Sequence, residues 1–249
     1  MKVSFVIPAH NEEVKIAECL RSIAQEIDPV EHATEIIVVN NASEDRTKEI
    51  ALTFPNVVVV DESRKGIVWA RKAGFEVSTG DIIANVDADS ILPKGWLSKV
   101  LHEFNSDEEL LGLSGPLIYY DLPVHMRLFT KSWYVFGLAF DNLNHFLFKR
   151  GAMFQGGNYV VKKKAIEDIG GFDTSIEFYG EDIDIGKRLR QIGKVKWTLS
   201  LPMHSSGRRL REKGVIKMAF IYGINYLSTA FLGKPATDEY DDIRPDPSL

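Results

Sequence analysis

Four short β-branched runs alternate with segments of helical periodicity over the first 90 residues, and this alternation constrains the fold more than any other feature. Each run is bounded by turn residues and is too short for a helix, so each predicts a strand. Strands that alternate with helices form a mostly parallel sheet with helices on both faces. The predicted strands are Val3 to Ile7, Glu35 to Val39, Val57 to Val60 and Asp81 to Val86.

Polar residues follow three of these predicted strands. Ligands of parallel sheets bind beyond the carboxyl ends of the strands, so these residues are candidates for a binding site. They are His10 to Glu12 after the first strand, Asn40 to Ser43 after the second and Asp87 to Asp89 after the fourth. Paired carboxylates suit a hard divalent cation, Mn²⁺ or Mg²⁺, which bridges diphosphate oxygens. A solvated turn is the alternative, because Asp is common after strands.

Composition and missing motifs exclude several classes of function. The sequence has no G-x-G-x-x-G fingerprint, P-loop or H-E-x-x-H motif, which disfavours a dehydrogenase, an ATPase and a zinc protease. Its net charge of -5 supplies no broad positive field, so nucleic acid is not expected as a partner. The single cysteine, Cys19, lies among apolar residues at helical spacing and predicts core packing.

Both ends of the sequence bear on localisation. The N-terminal apolar run is short and is followed by Pro8 and two glutamates, which does not fit a signal peptide and favours a cytoplasmic protein. The apolar segment Val215 to Leu232 approaches the length of a membrane span and follows a basic cluster of Arg208, Arg209, Arg211 and Lys213. Residues 208–232 therefore predict peripheral contact with the inner face of a membrane, or with a diphosphate. A helix that covers the catalytic domain is the alternative.

The motifs, taken in order, resemble family 2 glycosyltransferases. The resemblance rests on VIPAHNEE at 6–13, VVNNASEDRT at 38–47, the segment from Gly66 to Gly74, and the stretch from Gly80 to Asp89. It continues with GGN at 156–158, GGFD at 170–173 and GED at 180–182, so the motifs extend from about residue 3 to 205. Each piece is weak alone, but their ordered combination is specific.

This resemblance implies a GT-A-like, Rossmann-type α/β fold, with a mixed but mostly parallel sheet, flanking helices and a helical C-terminal region. It also implies an inverting transfer of a sugar from a nucleoside-diphosphate-sugar to an acceptor hydroxyl. The Q-x-x-R-W motif of processive members is missing, so a single transfer is expected. The implied setting is synthesis of a cell-envelope polysaccharide or glycolipid, with a glycan or lipid-linked acceptor.

Residue roles follow from the resemblance position by position. Asp182 is the implied general base, and Glu181 and Asp184 are its rivals. Asp87, Asp89 and His204 are the implied metal ligands, although an ordinary packed histidine is the alternative for His204. The implied substrate-binding residues are Pro8, His10, Asn11, Glu12, Asn41, Ser43, Arg71, Asp87, Gly157, Asn158 and Glu181.

Two departures from the family pattern affect the donor. The opening motif has His10 where Tyr or Phe is more frequent, and the base-reading position has Asn41 where Asp is frequent. Because an amide both donates and accepts, a UDP-sugar is favoured and a GDP-sugar stays open. The rival functions are a nucleotidyltransferase, which would need a Gly-rich cationic loop at the first strand, and a non-catalytic sugar-nucleotide-binding protein.

The expected organisation has four parts. Residues 1–110 form the nucleotide-sugar-binding half and 111–207 the acceptor-binding and catalytic half of one domain. Residues 208–234 form the basic and apolar helical segment, and 235–249 a flexible tail. The aromatic-rich stretch from Tyr119 to Phe148 is interpreted mainly as core, with an acceptor groove or a lipid-facing surface as alternatives.

Overall fold

A seven-stranded, mostly parallel sheet forms the centre of the protein. The computed structural model describes residues 1–28, 32–148, 153–176 and 178–237. All four strands predicted for the first 90 residues are present, and the first three extend by one or more residues beyond the prediction. In chain order the strands are β1 (Val3–Ala9), β2 (Thr34–Asn41), β3 (Val57–Glu62), β4 (Ile82–Val86), β5 (Ser90–Ile91), β6 (Leu110–Ser114), β7 (Leu117–Tyr119), β8 (Asn158–Lys162), β9 (Lys194–Trp197) and β10 (Met203–Ser205).

Helices cover both faces of this sheet, so the predicted α/β class is confirmed. The strand order is β3-β2-β1-β4-β8-β6-β9, and β8 is antiparallel to both of its neighbours. In chain order the helices are α1 (Ile16–Ile27), α2 (Thr47–Leu52), α3 (Ile67–Val77), α4 (Trp96–Ser106), α5 (Val124–Phe148), α6 (Lys163–Asp168), α7 (Glu181–Ile192), α8 (Arg208–Lys213) and α9 (Val215–Leu232).

The central strand β1 is buried along its whole length, because both faces of the sheet are packed. Alternate residues enter different cores: Phe5 packs with Cys19 on one face, and Val6 belongs to the cluster on the other. On that second face Gly74 lets α3 lie against the sheet, because any Cβ there would overlap the Val6 side chain. Cys19 is buried, as predicted, and burial raises the pKa of its thiol.

A second, three-stranded sheet positions the functional site. Its order is β5-β10-β7, with β10 antiparallel to β5 and parallel to β7. Because β5 begins directly after Asp89, this pairing places the segment that follows β10 beside the carboxyl end of β4. Residues about 120 positions apart in sequence thereby become neighbours.

The helices α5 and α9 are joined to each other and to α7 by a buried polar link. Asp141 of α5 accepts a hydrogen bond from Arg190 of α7 at 3.1 Å and another from Tyr226 of α9 at 2.5 Å. Much of the aromatic surface of α5 is nevertheless exposed, so the interpretation of this stretch as core is wrong for most of it. Only Tyr119 and Tyr134 of its aromatic residues are among the buried side chains that the structure describes.

Helix α9 is long and apolar enough to cross a membrane, and it alone meets that description within the described ranges. About a third of it is buried against the protein. The expected tail from 235 begins in an ordered way, because the N–H groups of Ala236 and Thr237 both donate to Asn225. The rest of that tail, 238–249, lies outside the described residues. The division into halves at residue 110 stays a prediction, and the central sheet takes strands from both ranges.

Candidate active site

One cavity of about 500 Å³ lies at the carboxyl ends of β1 and β4. Its polar half consists of five carboxylates and three arginines, and its apolar half lies between α5 and α9. The polar half is Glu12, Arg71, Asp87, Asp89, Glu181, Asp182, Arg208 and Arg209. The apolar half is Phe129, Trp133, Phe136, Phe140, Tyr222 and Tyr226.

Asp87 is held from two sides. Arg71, a buried side chain of α3, donates to its carboxylate at 3.2 Å. On the other side the backbone at Gly157 packs so closely that any Cβ would overlap the Asp87 carboxylate. Gly157 also has a φ of +77°, a conformation that L side chains rarely adopt. Two separate constraints therefore require glycine at position 157.

Asp89 is bound by a cation from the far end of the chain. The guanidinium of Arg208, the first residue of α8, lies 3.1 Å from the Asp89 carboxylate. The same guanidinium binds both carboxylate oxygens of Glu12, with one of these hydrogen bonds at 3.0 Å. Glu12 is only 3% exposed, so its charge depends on this pairing.

The acidic pair fits a divalent cation that is shared with substrate. Within the described part of the chain, no three His, Cys, Asp or Glu side chains are grouped to hold a metal ion. Mg²⁺ commonly binds through one or two carboxylates together with substrate phosphates and water. Asp87 and Asp89 both line the cavity and supply hard oxygen donors of that kind. The residues present therefore fit a cation that binds jointly with a diphosphate.

Asp182 lies in the first turn of α7, where its carboxylate is fixed by the backbone. It accepts a hydrogen bond from the N–H of Gly156 at 2.7 Å and another from the N–H of Ile183 at 2.9 Å. Burial raises the pKa of Asp182 above its usual value, and Arg71 and the Gly156 N–H oppose that shift. Asp182 also lines the cavity, so its carboxylate is placed to accept a proton from a group bound there.

The two rivals of Asp182 have structural partners. Glu181 forms an ion pair with Arg71, which also holds Asp87. Asp184 is paired with Arg188 at 2.5 Å, and Arg188 in turn donates to the carbonyls of the preceding turn. Asp184 is not among the residues that line the cavity. Of the three acids at the start of α7, Asp182 is thus the one without a direct ion pair to an arginine.

The family model described as Glycosyl transferase family 2 matches residues 4–170, about two thirds of the sequence. The chain belongs to glycosyltransferase family 2. Asp182 lies beyond the matched range, so its role rests on geometry and on the motif resemblance.

Similar proteins agree with this assignment. The probable glycosyltransferase YdaM of Bacillus subtilis is 28% identical over 203 residues, which cover 77% of this chain and 47% of that protein. This glycosyltransferase thus spans about half the length of that relative.

Solved structures confirm the expected GT-A fold. A mannosyltransferase from Pyrobaculum calidifontis, in complex with GDP-Man and Mn²⁺, superposes with a TM-score of 0.69 at 22% identity, covering 93% of this chain and 63% of that one. Glucosyl-3-phosphoglycerate synthase from Mycobacterium tuberculosis, in complex with Mn²⁺, UDP-Glc and phosphoglyceric acid, gives 0.64 at 20% identity, covering 95% and 81%.

Several predicted substrate contacts of this glycosyltransferase join two loops to each other. His10 contacts the carbonyl of Asn41 at 2.7 Å, and the N–H of Asn11 donates to Ser43 at 3.2 Å. The Asn41 amide bonds to the backbone of Glu62, Arg64 and Gly66, which fixes the loop after β3. The predicted contacts His10, Asn11, Asn41 and Ser43 do not line the cavity, whereas Pro8 does. Their contact with a nucleoside stays a prediction.

Neither Asn158 nor His204 lines the cavity. Asn158 is fully buried, and its amide bonds to Trp96, Pro116 and Leu201, which gives it a structural role; its contact with substrate stays a prediction. His204 is not grouped with Asp87 and Asp89, because Ser205 lines the cavity and adjacent residues of a strand face opposite sides.

The arginines predicted to meet a membrane are engaged within the protein. Arg208 binds Glu12 and Asp89, Arg209 lies over the ring of Phe178, and Arg211 lies 3.5 Å from Asp121. Motif reasoning had identified this basic cluster but not its partners. Glu12 and Arg208 are 196 residues apart, and no local pattern in the sequence connects them. Two members of the cluster, Arg208 and Arg209, line the cavity.

Proposed function

We propose that this family 2 enzyme is an inverting, metal-dependent transferase that moves one sugar from a nucleoside-diphosphate-sugar to an acceptor hydroxyl. The observation that carries the proposal is the meeting of Asp87, Asp89 and Asp182 in one cavity. Departure of a diphosphate needs its negative charge neutralised, and attack by a hydroxyl needs a base. The cavity has acidic groups for both tasks.

Each group has a distinct task in this proposal. Asp87 and Asp89 would hold Mn²⁺ or Mg²⁺, which supplies charge neutralisation to the leaving diphosphate. Asp182 takes the proton from the acceptor hydroxyl while that oxygen bonds to the anomeric carbon and the bond from this carbon to the diphosphate breaks. One displacement on the face opposite the leaving group inverts the anomeric centre. Arg71 keeps the arrangement fixed, because it contacts both Asp87 and Glu181.

The donor is a UDP-sugar in this proposal, and a GDP-sugar is the alternative that the test must separate. Both nucleotide classes occur in the superposed structures, one with UDP-Glc and one with GDP-Man. The amide of Asn41 accepts and donates hydrogen bonds, but its present partners are backbone groups. The nucleoside therefore has to be identified by binding rather than by this residue.

The acceptor carries an apolar portion in this proposal. The cavity continues from Asp182 into the apolar half, where aromatic side chains of α5 and α9 line it. Phe140 and Tyr226 belong to this lining and pack edge to face, with ring centroids 6.4 Å apart at 71°. Aromatic walls of this kind bury apolar chains or rings. A lipid-linked acceptor fits this lining better than a free sugar does.

Contact with a membrane belongs to the same proposal, but through a different surface from the basic cluster. The outward faces of α5 and α9 expose large apolar side chains, among them Phe146, Ile216 and Phe220. The only acidic residue in either helix is Asp141, which is buried, and both helices carry lysine. An apolar, cationic face of this kind suits an anionic bilayer at the cytoplasmic side.

Donor binding tests the core of the proposal. Thermal unfolding is measured with UDP, GDP and their sugars, each with and without Mn²⁺ or Mg²⁺, and the true donor gives the largest metal-dependent stabilisation. Asp89→Ala should abolish that stabilisation, because one of two acidic ligands is lost. Unchanged metal-dependent binding in Asp89→Ala, measured by calorimetry, would contradict the proposed metal site. Absence of any transfer product in the wild type would favour a non-catalytic binding protein.

A further inference from the structure

The polar half of the cavity carries an excess of negative charge. Counting every residue that lines the cavity, five carboxylates face three guanidinium groups, an excess of two negative charges. Arg71 serves Asp87 and Glu181, and Arg209 lies over Phe178. Arg208 is therefore the arginine that compensates Glu12 and Asp89.

The position of Arg208 is unusual for a residue that only anchors a helix. Its guanidinium contacts Asp89, a proposed metal ligand, as well as the almost fully buried Glu12. A guanidinium and a divalent cation cannot both occupy the same carboxylate oxygens without strong repulsion in a partly buried site. Arg208 itself is about a quarter exposed and lines the cavity, so its side chain has space to move.

We propose that Arg208 is an internal counter-ion that exchanges partners during donor binding. Without donor it neutralises Asp89 and Glu12; when the divalent cation and the donor bind, it releases Asp89 and binds the donor's diphosphate. This inference rests on the proposed function and adds a residue that links the cation to the nucleotide. Once the divalent cation holds Asp89, the Arg208 guanidinium no longer has to neutralise that carboxylate and can donate to the diphosphate.

The surroundings of Arg208 allow such a movement without loss of the fold. The segment before it is held by separate contacts: Ser206 donates to Asp121 at 2.8 Å, and the N–H of Gly207 donates to the same carboxylate at 2.5 Å. Arg211 lies beside Asp121 as well. The backbone at the start of α8 is thus anchored by Asp121, and only the side chain of Arg208 has to change partners.

The exchange predicts effects of opposite sign on two ligands. In Arg208→Gln, Mn²⁺ alone should bind about tenfold more tightly, because its competitor for Asp89 is gone. UDP or GDP, measured at saturating Mn²⁺, should bind about tenfold more weakly, because a diphosphate contact is lost. Electron paramagnetic resonance of free Mn²⁺ measures the first effect without any turnover, and calorimetry measures the second. A purely structural role would weaken both.

Two further variants make the test decisive. Arg211→Gln makes the same charge change in the same helix outside the cavity lining, and should leave Mn²⁺ affinity unchanged. Arg208→Lys keeps the charge but loses the fork that spans Glu12 and Asp89, so its Mn²⁺ affinity should lie between wild type and Arg208→Gln.

Equal or weaker Mn²⁺ binding in both Arg208 variants would overturn the exchange. If metal-dependent donor binding persists in that case, the proposed function stands without it. Wild-type protein that binds neither Mn²⁺ nor a metal–nucleotide complex would overturn both.

Discussion

The two halves of the cavity are built on different principles. In the polar half, Asp87, Asp89 and Asp182 are each fixed by an arginine or a backbone N–H. In the apolar half the lining is aromatic, and the two helices that supply it expose much of their outer surface. A reaction that requires sub-ångström placement of its catalytic groups needs side chains fixed in this way. An apolar acceptor chain needs only a surface of suitable shape. The difference indicates where chemistry and acceptor choice can be altered separately.

The largest expected effect lies in the polar half, at Asp182. Asp182→Asn preserves the shape and removes the basicity, so transfer should fall by about 10² to 10⁴-fold while donor affinity changes little. The wild-type rate should also fall as the pH drops through the pKa of Asp182, because the base must be ionised. Since burial raises that pKa, the fall should occur at a higher pH than for an ordinary aspartate. A pH–rate profile with saturating acceptor measures both.

The rivals of Asp182 provide the controls. Glu181→Gln and Asp184→Asn should each cost clearly less, because their carboxylates are paired with Arg71 and Arg188. If Glu181→Gln is the more damaging change, the base is misassigned, and the description of the polar half as the site of the chemistry around Asp182 is wrong.

A smaller effect, confined to the acceptor, is expected from the apolar half. Phe140→Ala removes a ring that lines the cavity and should raise the KM of an apolar acceptor about tenfold, with donor affinity unchanged. Phe146 on the same helix is 82% exposed and does not line the cavity. Phe146→Ala should leave the KM of a soluble short-chain acceptor unchanged but reduce co-sedimentation with anionic vesicles. Equal effects of both variants on KM would show that the apolar half is not an acceptor site.

An effect of similar size, confined to the donor, should come from the glycine that packs against Asp87. Gly157→Ala and Gly95→Ala both place a side chain at positive φ, which costs about 1 kcal/mol of stability. At Gly95 the added Cβ meets open space, whereas at Gly157 it meets the Asp87 carboxylate. Only Gly157→Ala should therefore weaken metal-dependent nucleotide binding, by about tenfold in calorimetry. Similar losses in both variants would mean that backbone strain, rather than Asp87, is responsible.

Sequence reasoning was strongest where the signal is local. The strands β1 to β4 are short, mostly apolar runs bounded by turn residues, so they could be identified from their own residues. The family could be identified because its motifs occur in order, and the family model confirms it.

Local patterns carry no information on contacts with residues that are distant in the sequence. Asn158 belongs to a motif, but its amide is used by Trp96 and Leu201, which are distant in sequence. The face on which His204 lies depends on the register of β10, a strand of three residues. Helix α5 was misjudged as core because aromatic content does not tell whether a neighbour covers it.

The dipeptide Gly156-Gly157 contacts two of the three acids that the proposed reaction uses. The N–H of Gly156 binds Asp182, and the backbone at Gly157 lies against Asp87. These two peptide units thus fix the distance between an acid that would hold the cation and the acid that would take the proton. In the proposed function, exchange of α5 and α9 would change the acceptor, whereas any redesign of the donor side would have to keep Gly156, Gly157, Asp87 and Asp182 together.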